Sequence, residues 1–180
     1  SKNIVTRYIY KDGIFKKDAQ AKTRGTLNDS YYMHEYNGYF CYVYTKYTEG
    51  DDSEAAGRSK NGIAILDENM KEIGHLGGLG KGEEIYASYY IGHMAYFVTY
   101  RNTDPVFAVD LSDVTKPKLM SELKLPGFSD YLHAFGDGKL IGIGMGETKD
   151  KRGRQAGAVK LSLFRYSEDQ KLSEKDSRVI

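Results

Sequence analysis

Residues 96–133 read YFVTYRNTDPVFAVDLSDVTKPKLMSELKLPGFSDYLH, a pattern typical of short strands joined by tight turns. In the strand VFAVD, Val106 and Ala108 point to one face, and Phe107 and Val109 point to the other. An antiparallel sheet with one wet face would alternate apolar and polar residues, so this stretch predicts a sheet that is covered on both sides. A β-propeller blade between two other blades meets that condition better than a β-sandwich, whose outer faces should be more polar.

The rest of the chain repeats this organisation. Three segments each read as four strands, and their turn glycines Gly38, Gly92 and Gly138 are 54 and 46 residues apart. A period of about 40–50 residues with four strands per unit is typical of a propeller. The predicted fold class is therefore all-β, a single β-propeller fragment (1–180) of about three and a half four-stranded antiparallel blades. Its predicted units are a half-blade at 1–25 and blades at approximately 26–80, 81–126 and 127–180.

The composition argues against several classes of protein. The chain is 28% charged but has a net charge of only +1, so it lacks the basic excess of a nucleic-acid-binding surface. No stretch approaches the roughly 20 apolar residues of a membrane-spanning helix, and we expect no membrane span in this chain. Cys41 is the single cysteine, which excludes an internal disulfide. The compartment stays open between a reducing cytosol and an exported protein that avoids thiols.

Several stretches carry a family resemblance: YIYKDG, MHEYNGYF, KLIGIG, VKLSLF and, above all, the long block from AILDENMKEIGHL to LPGFSDYLH. With them the sequence resembles the β-propeller domain family of secreted bacterial and archaeal proteins, which is distantly related to WD repeats. The resemblance covers nearly all of the chain. It implies an exported protein, anchored to or released from the cell surface, whose leader and first blades lie outside this chain. It implies no catalytic residue, and the chain is much shorter than a whole propeller.

Three short motifs suggest chemistry that their context does not support. The glycine run GHLGGLGKGEE at 74–84 lacks P-loop spacing and precedes no helical pattern, so an inter-blade connection is its expected use. Cys41 lies among bulky residues in YFCYVY, which favours a buried packing thiol over a nucleophile. In FSDYLH, Ser129 and His133 share a strand face but lie about 13 Å apart, so we predict structural residues rather than a catalytic triad.

Carboxylates and charged loops leave further alternatives. Asp67 and Asp110 end equivalent strands, in AILD and AVDL, which predicts that they accept bonds from backbone N–H groups at the blade turns. A facing pair of carboxylates, as in glycosidases, can come from any distance in the sequence and stays open. The charged loops 46–60 and 147–156 are expected to be solvated, although propellers also contact partners through such loops.

The ligand-site candidates are His34, Tyr131 and His133. His34 and His133 occupy similar places in their units, on strands expected to line the central channel, and there they could meet a ligand or metal. The alternative interpretation is that both histidines bond to neighbouring loops. Because metal sites favour closely spaced His and Cys, which this chain lacks, we predict no metal site and no cofactor.

Three functions follow as hypotheses. The first is a non-catalytic binding or scaffolding module of an exported protein, with an unidentified protein or glycan as ligand and no nucleic acid as partner. The second is a hydrolase that acts on glycan or peptide at the channel mouth, near His34, Tyr131 and His133. The third is a purely structural assembly unit that self-associates through its open blade edges.

Overall fold

The computed structural model describes residues 3–47, 59–100, 104–125, 128–136, 138–149, 155–166 and 172–180. Within these residues, strands dominate and the only helical element is a 3-10 turn at Ser30–Tyr32. The strands are β1 (Ile4–Lys11), β2 (Ile14–Lys22), β3 (Met33–Tyr36), β4 (Tyr39–Tyr47), β5 (Ser59–Leu66), β6 (Glu72–Leu79), β7 (Glu84–Ile91), β8 (Met94–Tyr100), β9 (Asp104–Asp110), β10 (Lys118–Leu125), β11 (Phe128–Ala134), β12 (Lys139–Lys149), β13 (Gln155–Tyr166) and β14 (Leu172–Val179).

The strands form three four-stranded sheets and one hairpin, which confirms the predicted fold class. The first blade has the order β3-β4-β5-β6, the second β7-β8-β9-β10 and the third β11-β12-β13-β14, and β1 pairs with β2 alone. Every pairing is antiparallel between strands that follow each other in sequence. Each four-stranded sheet is thus a meander, the topology of a propeller blade.

The apolar residues on both faces of the second blade lie in two different cores. The pairs Ala95–Val109 and Phe97–Phe107 pack in a core shared with the first blade. The alternating pairs Tyr96–Ala108 and Val98–Val106 pack in a core shared with the third blade. All eight side chains are at most 1% exposed. The lack of alternation in VFAVD therefore has the predicted cause, because neighbouring blades cover both faces.

In the first blade, too, alternating residues face two different neighbours. On the first blade, the pairs Cys41–Ile65 and Val43–Ile63 face the second blade. On its opposite face, Tyr42, Tyr44, Ala64 and Leu66 pack against the β1–β2 hairpin through Val5, Ala19 and Ala21. The hairpin therefore occupies the place of a blade in the stack.

The two ends of the stack expose apolar side chains. On the third blade, the pairs Ile143–Leu161 and Met145–Val159 lie on the face that, in the first two blades, meets the next blade. Ile143, Met145 and Val159 are 39–46% exposed. On the hairpin, large exposed residues include Ile4, Tyr8, Ile9, Tyr10, Ile14 and Phe15. Both ends thus retain surfaces of the kind that blades bury elsewhere in this chain.

The tight turns have the backbone that their residues predict. Asp12-Gly13 and Asn37-Gly38 connect consecutive strands with positive φ at both positions, as a type I′ turn requires. The glycine run divides between two roles. Its first part belongs to the outer strand β6, and only residues 80–83 connect the first blade to the second, so the predicted connection is shorter than the run. Gly74 needs no side chain because a Cβ there would approach the backbone oxygen of Val114 to 2.1 Å.

The connection from the first to the second blade encloses a buried asparagine. Asn61 is fully buried, and its Nδ2 donates to the backbone oxygens of Gly80 at 3.0 Å and Glu83 at 3.1 Å. Its Oδ1 accepts a 2.7 Å bond from the Thr45 hydroxyl. Buried polar groups of this kind are tolerated when their partners are in place. This network fixes the start of β7 relative to the first blade.

The first strands of the blades form the inner edge of the stack. β7 and β11 pack against each other more extensively than the last strands β10 and β14 do, and β7 also contacts the 3-10 turn. Blades that converge on their first strands radiate from an axis on that side. The strands β7 and β11, with the 3-10 turn, therefore line the inner edge of the arc.

Candidate functional site

A groove lined largely by tyrosines lies on the inner edge, where β7, β11 and the 3-10 turn meet. Its cavity volume is about 180 Å³. Five tyrosines and two aspartates line it together with three small or aliphatic residues: Tyr31, Tyr32, Tyr86, Tyr89, Tyr131, Asp29, Asp130, Ala87, Ser88 and Leu132. We call this site the aromatic groove. It combines two blades and a turn from a third part of the chain, so it exists only in the folded protein.

Hydrogen bonds fasten the 3-10 turn to β7 and make one wall of the aromatic groove. The Ser88 hydroxyl donates to the Tyr31 backbone oxygen at 2.7 Å, and the Tyr32 hydroxyl donates to the Ile85 backbone oxygen at 2.5 Å. The Tyr90 hydroxyl donates to the Tyr32 backbone oxygen at 3.1 Å. The turn is thus held at three points, and the scaffold fixes the backbone from which the Tyr31 side chain extends.

Several aromatic side chains of the groove face solvent. Tyr31 is 70% exposed, and Tyr86 and Tyr131 are each 45% exposed. Tyr32 is buried, and burial together with the nearby Asp29 and Glu84 carboxylates raises the pKa of its hydroxyl well above the usual value. Three tyrosines thus expose part of their rings at the groove, whereas Tyr32 anchors the wall behind them.

The predicted site residues Tyr131 and His133 come together on β11. The Tyr131 hydroxyl lies 3.1 Å from Nδ1 of His133, and the two rings are stacked with centroids 5.9 Å apart. Tyr89 of β7 meets the His133 ring edge-on at 5.6 Å. His133 therefore pairs with the hydroxyl of Tyr131 and an aromatic ring rather than with Ser129, in agreement with the prediction of no triad in FSDYLH.

His34 lies apart from that pair. It stacks on Tyr90 at 4.6 Å, with Tyr36 at 6.4 Å on the same strand as His34. Burial lowers the pKa of its imidazole, which favours the neutral ring at pH 7. Within the described part of the chain, no ring contact or hydrogen bond joins His34 to Tyr131 or His133. The structure thus brings two of the three predicted ligand residues together, and places the third against a different tyrosine of β7.

The two carboxylates of the aromatic groove have different surroundings. Asp29 caps the 3-10 turn, where its Oδ1 accepts from the Tyr31 backbone N–H at 2.9 Å. Asp130 has no hydrogen bond or ion pair with any other residue that the structure describes. Partial burial raises the pKa of its carboxyl group. Asp130 therefore retains its hydrogen-bonding capacity for a ligand.

The strand-end aspartates have the structural role that the sequence predicts. Asp67 Oδ1 accepts from the backbone N–H groups of Asn69 and Lys71, both at 2.9 Å. Asp110 Oδ1 accepts from the Ser112 N–H at 2.8 Å. Cys41 is also as predicted, because it is 1% exposed and burial raises the pKa of its thiol to about 12.

Sequence reasoning missed most of the aromatic groove. Tyr31, Tyr86 and Tyr89 stand in DSYY and EIYASYY, which read only as turn and strand. Tyrosines close to aspartates in the sequence could have indicated this site, but the same residues are also compatible with an ordinary packed sheet. The charged loops 46–60 and 147–156 lie for the most part outside the described residues.

Other kinds of site find no support in the described ranges. No group of three or more His, Cys, Asp or Glu side chains there is placed to bind a metal ion. No helix within those residues has the length and apolar character to cross a bilayer.

A family model described as Beta propeller domain matches residues 2–180 of the chain. An uncharacterized protein of Methanocaldococcus jannaschii is 42% identical over 147 residues, which are 82% of this chain and 22% of that protein. An uncharacterized protein of Archaeoglobus fulgidus is 36% identical over 156 residues, 87% of this chain and 22% of that protein. The chain therefore spans about a fifth of the length of these curated relatives.

The similar proteins of known structure have a lower sequence identity to this chain than these two relatives have. A mutant of the Synechocystis apocarotenoid oxygenase is 12% identical and aligns over 78% of this chain and 35% of its own, with a TM-score of 0.43. A mutant of the B. megaterium levansucrase is 10% identical and aligns over 99% of this chain and 61% of its own, with a TM-score of 0.42. At these values neither structure bears on the activity of this chain.

Proposed function

Because this chain belongs to the beta propeller domain family, we propose that it is a non-catalytic binding or scaffolding module of an exported bacterial or archaeal protein. The aromatic groove holds its ligand, a protein or a glycan. The observation that carries this proposal is the set of exposed rings of Tyr31, Tyr86 and Tyr131 around one cavity. Aromatic side chains that the scaffold already orders contribute contact area at small entropic cost on binding.

The chemistry of the aromatic groove favours binding over catalysis. Hydrolysis of a glycan needs two carboxyl groups free to act on opposite sides of the scissile bond. Here Asp29 is engaged as a cap through Oδ1, and loss of hydration raises the pKa of the Asp130 carboxyl group. The pair of Tyr131 and His133 lacks a third group to complete a nucleophilic triad among the described residues. Carboxylates beside several tyrosines are suited to recognising a ligand.

Export is the second part of this proposal. It rests on the resemblance to secreted propellers, and the single buried cysteine is compatible with an oxidising compartment. We expect an antibody against the chain to detect it outside the cytoplasm of the source cells, in the medium or in a protease-accessible surface fraction. Detection in the cytosolic fraction alone would contradict this part and leave the binding role intact.

The binding role is tested with Tyr31→Ala and Tyr131→Ala, which remove exposed rings from the aromatic groove. Tyr10→Ala is the matched control, because Tyr10 is 64% exposed on the distant hairpin. A panel of oligosaccharides, peptides and small polar ligands is titrated against each protein by calorimetry. We expect one ligand class to bind the parent and the Tyr10 variant with equal affinity. Its affinity for either groove variant should be about tenfold lower. Hydrolysis of a panel member by the parent would favour the hydrolase instead.

A second candidate function, an assembly unit, is favoured by the apolar face of the third blade. Ile143 and Val159 are 40% and 46% exposed there, at positions whose counterparts in the first two blades meet another blade. Light scattering at several concentrations tests this candidate. Dimers that Val159→Lys abolishes, and that Leu119→Lys on the outer strand leaves intact, would support assembly through this face. A monomer at every concentration would contradict it.

A further inference from the structure

We propose that the aromatic groove binds an organic cation, a substituted ammonium group carried by its protein or glycan ligand. This inference rests on the proposed binding role and names the ligand class for the same site. Three features carry it: exposed aromatic faces, carboxylates without a basic partner, and a cavity of suitable size.

The first feature is the aromatic wall. Tyr31, Tyr86 and Tyr131 come from the 3-10 turn, β7 and β11 and are 70%, 45% and 45% exposed, so rings from three elements surround one cavity. The face of an aromatic ring carries partial negative charge, and cations within about 6 Å of the ring centroid are attracted to it. Several rings around one cavity form the arrangement that recognises quaternary ammonium groups.

The second feature is the charge of the aromatic groove. Asp29 and Asp130 belong to its lining, and among the residues that the structure describes no lysine, arginine or histidine does. Asp29 uses Oδ1 for the cap and leaves Oδ2 without a bond to another described residue. Asp130 also has no hydrogen bond or ion pair with another residue that the structure describes. Glu84 adds a third carboxylate close enough to influence Tyr32 at the back of the groove. These carboxylates favour a ligand with a positive charge.

Charge distinguishes a cation from a neutral ligand. Asp130 is exposed, and its carboxylate has no hydrogen bond or ion pair with another residue that the structure describes. A ligand with a positive charge would form an ion pair with this carboxylate, whereas a neutral sugar only replaces one set of hydrogen bonds by another. Sugars also stack on tyrosine, so charge rather than ring contact decides between the two classes.

The third feature is size. The cavity of about 180 Å³ is several times the roughly 30 Å³ that one water molecule occupies in the liquid. A hydrated inorganic cation would leave the rings without contact, whereas a trimethylammonium group fills the space between them with methyl groups. The groove is thus suited to an alkylated ammonium group.

The test uses choline chloride as the probe and 3,3-dimethylbutan-1-ol as its uncharged counterpart of the same shape. Both are titrated into the full chain with ¹³C-labelled tyrosine rings, and the ring signals are followed by NMR. We expect choline to shift the signals assigned to Tyr31, Tyr86 and Tyr131, with the alcohol at least tenfold weaker. Equal affinity for the two compounds would overturn the inference, because shape without charge would then suffice.

Substitutions test whether the carboxylate of Asp130 contributes to choline binding. We expect Asp130→Asn to weaken choline binding about fivefold, as the loss of one partly hydrated charge pair predicts, and to leave the affinity for the alcohol unchanged. Asp12→Asn is the matched control, because Asp12 lies in the exposed β1–β2 turn, where asparagine is equally suited to positive φ. An Asp130 variant with parental affinity for choline would contradict the role of this carboxylate.

The failure of this inference can be told apart from failure of the proposed function. Methyl glucoside and a neutral tripeptide are titrated under the same conditions. If one of them shifts the groove tyrosines and choline does not, the ligand class is wrong and the binding role stands. If no compound of any class shifts these signals, both the inference and the proposed function are wrong.

Discussion

The substitution Phe107→Ala tests the stacking of the blades most directly. Phe107 is 1% exposed in the core between the first and second blades, and it pairs across the sheet with Phe97. The two rings stack with centroids 5.2 Å apart. Loss of the ring removes contacts with both blades at once, so we expect a large decrease in the free energy of unfolding.

The expected magnitude follows from three contributions. Removing the ring takes away roughly 100 Å² of buried apolar surface, which is worth about 2.5 kcal/mol. Loss of the stacked pair with Phe97 adds about 1 kcal/mol, and incomplete collapse of the cavity adds a similar amount. The result, about 4.5 kcal/mol, lies within the usual range for Phe→Ala in a core. It is a large fraction of the 5–15 kcal/mol of a typical domain.

Urea unfolding of the full chain, followed by circular dichroism, provides the measurement. With an m value of about 2 kcal/mol/M, the midpoint should fall by about 2 M. Phe15→Ala is the matched control, since Phe15 is 72% exposed on the hairpin; we expect its effect to stay within about 0.5 kcal/mol. Equal effects of the two substitutions would refute the blade-stacking interpretation of VFAVD.

Three further predictions concern single sites. Gly74→Ala should destabilise the chain by about 2 kcal/mol, because the new Cβ would meet the Val114 oxygen at 2.1 Å; a thermal melt that matches the parent would contradict this contact. Asn61→Asp should cost about 3 kcal/mol at pH 7, since a carboxylate would replace the donor to the backbone oxygens around it; urea unfolding measures this, with exposed Asn28→Asp as the control. The thiol of Cys41 should resist a disulfide reagent at pH 8 until the chain unfolds, and rapid native labelling would refute its burial. Its raised pKa contributes stability that is fully present below the ordinary value of 9.0 and is lost as the pH rises towards about 12, which the pH dependence of unfolding relative to Cys41→Ala should show.

The strands and their stacking could be predicted because local patterns encode them. Alternation along a strand assigns each residue to a face, so apolar residues on both faces of VFAVD require two covering layers. The turns Asp12-Gly13 and Asn37-Gly38 follow from backbone sterics, since few residues adopt positive φ. The roles of Asp67 and Asp110 could be predicted for a similar reason, because a short carboxylate side chain at a strand end reaches the backbone N–H group two residues further along the chain.

The extent of β6 shows where local patterns were insufficient. Gly74 lies in this strand although glycine disfavours strands, because its neighbour in the next blade leaves no room for a Cβ. The sequence pattern alone suggested a flexible connection. A close approach between two blades is a property of the packed molecule, and no single strand records it.

The aromatic groove depends even more on the tertiary structure. Asp29 and Asp130 line the same cavity although they lie 101 residues apart in the sequence (130 − 29), and Tyr31 reaches it only because the 3-10 turn is bonded to β7. Each tyrosine on its own fits an ordinary strand or turn, so nothing in its local pattern marks it as part of a site. Turns and strand faces depend on neighbours within a few residues, and the sequence therefore contains them directly. A groove depends on how whole blades are placed around an axis, and that placement arises only when their faces pack.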